Sequence, residues 1–213
     1  MNYVLELLPQ VLEGLKVTLE IFAFTLILSI PLGIVVAVMR ISKSLIIRQI
    51  SAAYILVMRG TPLLLQIIVI FFGLPLIGIN FDRFPAAILA FTLNYGAYFG
   101  EIFRAGIMSI DNGQVEGAQV LGLSSKDIFF RIILPQAFKR VIPPVANEIT
   151  TLVKDTSLVY VVGMDELLKI GKMATNRDVS LVPLLIVGAV YLIVIALLSQ
   201  ILKKVEKKYD YYK

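Results

Sequence analysis

Residues 179 to 202 read VSLVPLLIVGAVYLIVIALLSQIL, without one charged side chain, and Lys203 and Lys204 follow at once. At about 1.5 Å per residue such a helix extends roughly 36 Å, enough to cross a hydrocarbon core of about 30 Å. The stretch therefore names lipid as the solvent. The whole chain agrees: mean hydropathy is +0.87, 58% of residues are hydrophobic and 16% are charged, against about 25% charged in an average soluble domain. A chain of 213 residues has room for one or two globular domains, or for five spans of about 20 residues joined by loops. The apolar segments favour the second, as a single transmembrane domain over 1–213.

Four further segments precede the first one quoted. Thr18 to Met39 carries only Glu20; a second lies within Ile50 to Ile79, of which Gly60 to Ile79 is charge-free. A third, Phe84 to Ile107, contains Asn94, Glu101 and Arg104. The fourth, Val141 to Met164, is interrupted by Pro143, Pro144, Glu148, Lys154 and Asp155. Its polarity predicts shelter from lipid. The predicted class is an all-α integral membrane protein with five transmembrane helices. Lysine and arginine placement sets its orientation. Arg40, Lys43 and Arg48, then Lys126, Arg131, Lys139 and Arg140, then Lys203, Lys204, Lys207, Lys208 and Lys213 fall on one side; Lys16, Arg83, Lys169, Lys172 and Arg177 fall on the other. The richer side is cytoplasmic, which puts the N-terminus outside and the C-terminus inside. Tyr209, Tyr211 and Tyr212 suit an interfacial aromatic belt.

Composition also excludes chemistries. Cysteine and histidine are both absent, which removes disulfides, thiolate nucleophiles and the usual zinc ligands. No catalytic residue and no metal ligand is assigned. The N-terminal MNYVLELLPQVLEGLK lacks the basic start and unbroken apolar run of a cleaved signal. The net charge of +5 is dispersed between apolar runs rather than gathered on one face, so no nucleic-acid partner is expected.

The cytoplasmic stretch between the third and fourth segments, about 109–135, is too patterned for a linker. Gln114 to Leu121 reads as a short helix with Val115, Ala118 and Leu121 on one face. Gly122 stands where a left-handed residue ends a helix, Ser124 and Asp127 make a capping box, and Leu134-Pro135 marks the end of the next helix. The order Glu116-Gly117-Ala118, Gly122-Leu123 and Ile133-Leu134-Pro135 resembles the coupling loop of ATP-binding-cassette (ABC) importer permeases. Gly117 departs from the usual alanine. RGTPLLLQ (59–66), YFGEIFRAGI (98–107), LPQAFKRVIPPVANEI (134–149) and KDTSLVYVVG (154–163) extend the resemblance to the polar amino-acid uptake family over nearly the whole chain.

That resemblance implies a multi-pass permease of the bacterial plasma (inner) membrane, with a coupling helix carrying Glu116, Gly117, Ala118, Gly122 and Leu123. It implies two ATP-binding-cassette ATPase subunits below, an external substrate-binding protein above, and pairing with a second copy, as a homodimer, or with a close relative. The chain has no phosphate-binding loop of its own; GMDELLKIGK (163–172) has the wrong spacing. It is thus no enzyme and needs no cofactor, ATP and magnesium belonging to the ATPase. The rival reading is a membrane scaffold or channel-like component that needs no ATPase.

Charged and polar groups within spans are candidate substrate ligands. Asn94, Tyr98 and Glu101 share a helical face, with Tyr95 beside them; amide, phenol and carboxylate suit an amino acid's ammonium group or a cationic side chain. Glu101 equally stands three residues from Arg104 and can neutralise it. Lys154, Asp155, Thr156 and Ser157 read either as a self-satisfied patch at a helix break or as path lining. In RGTP, Thr61 is a favoured N-cap and Pro62 a favoured first helical residue, so Gly60, Thr61 and Pro62 mark a helix start. Two placements are open: mid-membrane, where a broken helix holds a substrate carboxylate, or the cytoplasmic interface, with 44–58 along the surface. The expected substrate is a polar amino acid, cationic (arginine, lysine, histidine) or glutamine.

Overall fold

The structure, a computed structural model, describes residues 2–209, with Asn2 as backbone only; the predicted aromatic marks Tyr211 and Tyr212, and Lys213, lie outside the described residues. Among the described residues every regular element is helical. The main helices are α1 (Asn2–Arg40), α2 (Leu45–Gly60), α3 (Leu63–Ile77, closing through a π turn and a 3-10 turn), α4 (Arg83–Met108), α5 (Asn112–Val120), α6 (Ser125–Asp127), α7 (Leu134–Asp155), α8 (Leu167–Asp178) and α9 (Val182–Tyr209).

By length and composition α1 and α9 each suffice to cross a bilayer, and α2 with α3 does so as a pair bent by 102°. The more polar α4 and α7 fall outside that class, for the reason their sequences predicted. α4 is wrapped by protein: Phe91, Tyr95 and Phe99 are almost wholly buried, packed with Ile21 of α1, Ile67 of α3 and Leu152 of α7.

The first span is longer than expected. Helix α1 begins at Asn2 rather than near Thr18 and absorbs Pro9. Its early residues form a packing surface: Leu7 and Val11 are buried against Leu167 and Ala174 of α8 and Val187 of α9. Glu6 and Glu13 are turned outward, so the charges that disguised this helix cost it little. Helix α8 itself was unforeseen. Its start is fixed by Glu166, fully buried, whose carboxylate accepts from the N–H groups of Leu168 and Lys169 at 2.6 and 2.7 Å and from the Tyr191 hydroxyl at 3.0 Å. At its other end Asp178 accepts from Arg177 and from the Tyr3 hydroxyl, tying α8 to the start of α1. Those donors hold the Asp178 carboxyl down to about 2, so on the acid side the tie is fully present above the ordinary carboxylate range and is lost as pH falls toward that value.

The seam between α1 and α4 is made by glycine. A Cβ placed on Gly33 would stand 2.6 Å from Cβ of Phe99; one on Gly96 would stand 2.6 Å from Leu32, and one on Gly100 2.6 Å from Val36. Backbones this close gain dispersion contacts that lipid cannot supply, the usual source of helix association in a bilayer.

The predicted coupling segment forms with small shifts. α5 ends as foreseen: Gly122 has φ +78°, and Leu123 N–H reaches back to Ala118 O at 3.1 Å. Ser124 Oγ accepts from Asp127 N–H at 3.1 Å and donates to Asp127 Oδ2 at 2.6 Å. Leu134-Pro135, expected to end a helix, does not. A π turn over Ile128–Ile133, in which Leu134 N–H bonds Phe129 O, carries the chain into α7 with Pro135 in its first turn. The helix is continuous through this point, and the π turn shifts its ladder just where Pro135 has no N–H to give.

The break between α2 and α3 is stitched by side chains. Thr61, expected as the N-cap of the next helix, instead closes the previous one: its hydroxyl donates to Val57 O at 2.7 Å, Pro62 takes the N-cap position and Leu63 is the first helical residue. Gln66 Nε2 donates to Met58 O at 2.9 Å and to Thr61 Oγ1 at 2.9 Å. Asn94 Nδ2, from α4, donates to Met58 O at 2.8 Å and to Gln66 Oε1 at 3.1 Å.

Two predictions follow from this packing. Gly33→Val drives new atoms into α4 and should destabilise the fold by about 1–3 kcal/mol or prevent insertion, read as a lower melting midpoint of the detergent-solubilised protein. Asn94→Leu leaves Met58 O and Gln66 Oε1 short of a donor and should cost a similar amount; an unchanged midpoint would show that the network does not hold the break.

Candidate functional site

The break opens onto a cavity of about 520 Å³ lined by Arg59 to Leu63 of the α2–α3 junction, Asn94, Tyr95 and Tyr98 of α4, Glu148, Thr151 and Asp155 of α7, and Leu158 of the 3-10 turn that follows. That volume is in the range of small-molecule sites. Three separate helices reach one space because the 102° bend turns the end of α2 toward the middle of α4. Whatever depth the bilayer gives to RGTP, its residues face α4 and α7.

Of the eight expected substrate ligands, Gly60, Thr61, Pro62, Asn94, Tyr95, Tyr98 and Asp155 all line this cavity. Glu101 does not: its carboxylate is paired with Arg104, Nε to Oε2 at 2.9 Å and Nη2 to Oε1 at 2.5 Å. The spacing argument put Glu101 on the face of Asn94 and Tyr98, but a partner one turn away satisfies both of its oxygens. Asn94 lines the cavity while its amide is committed to the helix break. The Lys154–Ser157 group divides. Thr156 and Ser157 return their hydroxyls to the carbonyls of Val153 and Lys154, at 2.8 and 2.7 Å, where the α-helix tightens into a 3-10 turn. Asp155 faces the cavity and accepts from the Tyr95 hydroxyl at 2.7 Å.

Sequence reasoning missed Glu148 and Thr151 and gave Arg59 only as the charge ahead of a helix start. A signal existed: Glu148, Thr151 and Asp155 stand at i, i+3 and i+7, one face of a helix. The prolines at 143 and 144, which lie inside α7 without breaking it, drew attention from that periodicity. The Arg59 guanidinium carbon sits 4.9 Å from the centre of the Tyr98 ring, in cation–π range, and within electrostatic reach of Glu148. The lining thus carries two carboxylates and one guanidinium beside two phenols.

The residues expected to couple lie elsewhere, along α5 and its C-terminal turn. Glu116, Gly117 and Gly122 are exposed, Ala118 is buried and Leu123 half-buried. Val120 and Leu121 are 88% and 80% exposed, an apolar tip left uncovered by the described residues. A Cβ on Gly117 would meet nothing within 4 Å, so the glycine at that position answers no crowding within the chain.

Comparison with known proteins accords with this arrangement. Residues 29–211 match the family described as the binding-protein-dependent transport system inner membrane component. The arginine transport system permease protein ArtQ of Bacillus subtilis is 40% identical over 94% of this chain and 93% of its own length. The L-cystine transport system permease protein TcyB of the same organism is 36% identical over 96% and 88%. A putative glutamine transport system permease protein GlnP of Rickettsia typhi is 35% identical over 98% of each chain. Among solved structures, a chain of an amino acid ABC transporter crystallised with histidines superposes with a TM-score of 0.91 at 31% identity, covering 97% of both chains. The inward-facing MetNI methionine ABC transporter shares the fold, with a TM-score of 0.75 at 19% identity over 98% of this chain and 99% of its own. The scaffold reading is not favoured by these relationships. The chain belongs to the binding-protein-dependent transport system inner membrane components, as a permease subunit of an amino-acid ABC importer whose ATPase is a separate subunit.

Proposed function

We propose that this permease imports amino acids with a cationic side chain, arginine above all, through the cavity at the α2–α3 break. The observation that carries the reading is the charge of the lining. Glu148 and Asp155 against Arg59 leave one negative charge in excess, the complement of an amino acid bearing two cations and one carboxylate. Glutamine, with one of each, would leave a carboxylate without a counter-charge in a partly enclosed space, a costly state. The arginine system of Bacillus subtilis among the relatives supports the same class.

In this reading five segments cross the bacterial plasma membrane, with the N-terminus outside and the C-terminus in the cytoplasm, and two copies of the chain pair above two ATPase subunits. ATP, with magnesium, is bound only by the ATPase. An external binding protein delivers the amino acid. ATPase closure pushes on α5 through its exposed Val120 and Leu121, and because Gln136 of α7 donates to Gln114 of α5 at 2.6 Å, the push reaches the helix that carries Glu148 and Asp155. The cavity then alternates between the two sides of the membrane.

The test is uptake by the intact complex in proteoliposomes. Glu148→Gln and Asp155→Asn should each lower apparent arginine affinity by about 2 kcal/mol, roughly thirtyfold, and affect glutamine far less. Equal losses for both amino acids would reduce the carboxylates to structural parts, and wild-type preference for glutamine would overturn the substrate class. For coupling, Gly122→Val places a β-branched residue at φ +78° and should sever uptake from ATP hydrolysis while the subunit still inserts. Gly117→Ala has room and should leave uptake intact while favouring α5 by about 1 kcal/mol. Normal uptake in Gly122→Val would count against the coupling role of this turn.

A further inference from the structure

A second cavity, far in sequence from the RGTP break, lies between the start of α7 and the end of α9. This groove of about 460 Å³ is lined by Lys139, Arg140, Ile142 and Pro143 on α7 and by Lys203, Glu206, Lys207 and Tyr209 on α9. Arg140, Lys203 and Lys207 stand in this lining with Glu206 as its one carboxylate. Lys203 and Lys207 are four residues apart on one face of α9 and both are exposed. Arg140 donates to Ser109 O at the end of α4, which anchors the guanidinium at the groove rather than leaving it to roam. The polar and apolar parts are adjacent: Ile142 and Pro143 contribute to the lining, and Phe138, 51% exposed, meets the Tyr209 ring edge-on with centroids 5.5 Å apart.

The height of the groove is fixed by α9. Within that helix residues 182–202 carry no charge, a length of about 31 Å at the α-helical rise, matching the hydrocarbon core. Lys203 is the first charged residue past it, so the groove opens where phospholipid phosphates lie. An aromatic pair beside basic side chains at that level suits the boundary between headgroup and acyl chain. A soluble acidic partner would meet these cations equally, but would leave the Phe138 edge and the apolar lining without a complement.

We propose that this groove is a binding site for the headgroup of an anionic phospholipid, its phosphodiester held by Arg140, Lys203 and Lys207 and its acyl chain laid along Phe138 and Ile142. Because Arg140 also holds Ser109, the first residue of the coupling segment, an occupied site braces the root of that segment.

The experiment uses the intact permease–ATPase complex in nanodiscs of phosphatidylcholine with increasing phosphatidylglycerol, bound lipid being counted by native mass spectrometry. Saturable retention of phosphatidylglycerol over phosphatidylcholine is expected. Lys203→Gln with Lys207→Gln should weaken it about tenfold or more, whereas Lys204→Gln with Lys208→Gln, the same charge change outside the lining, should stay within about twofold. Equal losses in the two pairs would reduce the groove to diffuse attraction and overturn the site. Displacement of the lipid by millimolar inorganic phosphate would assign a free anion and overturn the lipid. Should the Lys203/Lys207 pair fail to assemble, wild-type selectivity decides: equal retention of both lipids overturns the proposal.

Discussion

A carbonyl without a donor is expensive wherever water cannot reach it, and a helix broken within a bundle creates several. The molecule is arranged around that cost. Met58 O, near the end of α2, is met by the amides of Gln66 and Asn94, and Val57 O by the Thr61 hydroxyl. Because these bonds exist, α2 can stop and α3 can leave at 102°; because the chain turns there, Arg59 to Leu63 come to face α7. The site is therefore a by-product of satisfying backbone. Side chains that look like substrate ligands in a list, Asn94 foremost, do part of their work on the protein itself.

Neutralisation of charge follows two patterns a short distance apart. Glu101 and Arg104 close on each other within one turn of α4, with both carboxylate oxygens occupied. Glu148 and Asp155 form no such paired salt bridge among the described residues: Asp155 accepts from the Tyr95 phenol, and the Arg59 guanidinium, stacked on Tyr98, is only within electrostatic reach of Glu148. Partners of this weaker kind can be exchanged for a ligand at small net cost, while the Glu101–Arg104 pair would have to break two charge-assisted bonds.

Much of this was legible in the sequence because composition and local chemistry decided it. The charge-free run before Lys203 yields α9, the Gly122 signal gives its left-handed turn, and Ser124 with Asp127 gives a cap. What was illegible depended on partners distant in the chain. The start of α1 is helical because Leu7 and Val11 find Leu167, Ala174 and Val187, and nothing nearby announces it. Leu134-Pro135 reads as a stop until the π turn before it is known. RGTP was rightly read as a junction, but Thr61 was given to the wrong helix, since one hydroxyl can serve either side and only the Val57 carbonyl decides. For Glu101 the sequence left two readings open, a shared face with Asn94 and Tyr98 or neutralisation by Arg104, and periodicity could not choose between them; the two bonds to Arg104 do.

The glycine seam of α1 and α4 has a bearing on movement. Surfaces that meet at 2.6 Å from a hypothetical Cβ, at three positions along two helices, resemble meshed teeth: one cannot slide over the other without first separating. Any rearrangement of the bundle that keeps this seam would carry α1 and α4 together as a single strut, leaving the play to the stitched corner at Gly60 and Thr61, where three side-chain donors can lengthen one at a time.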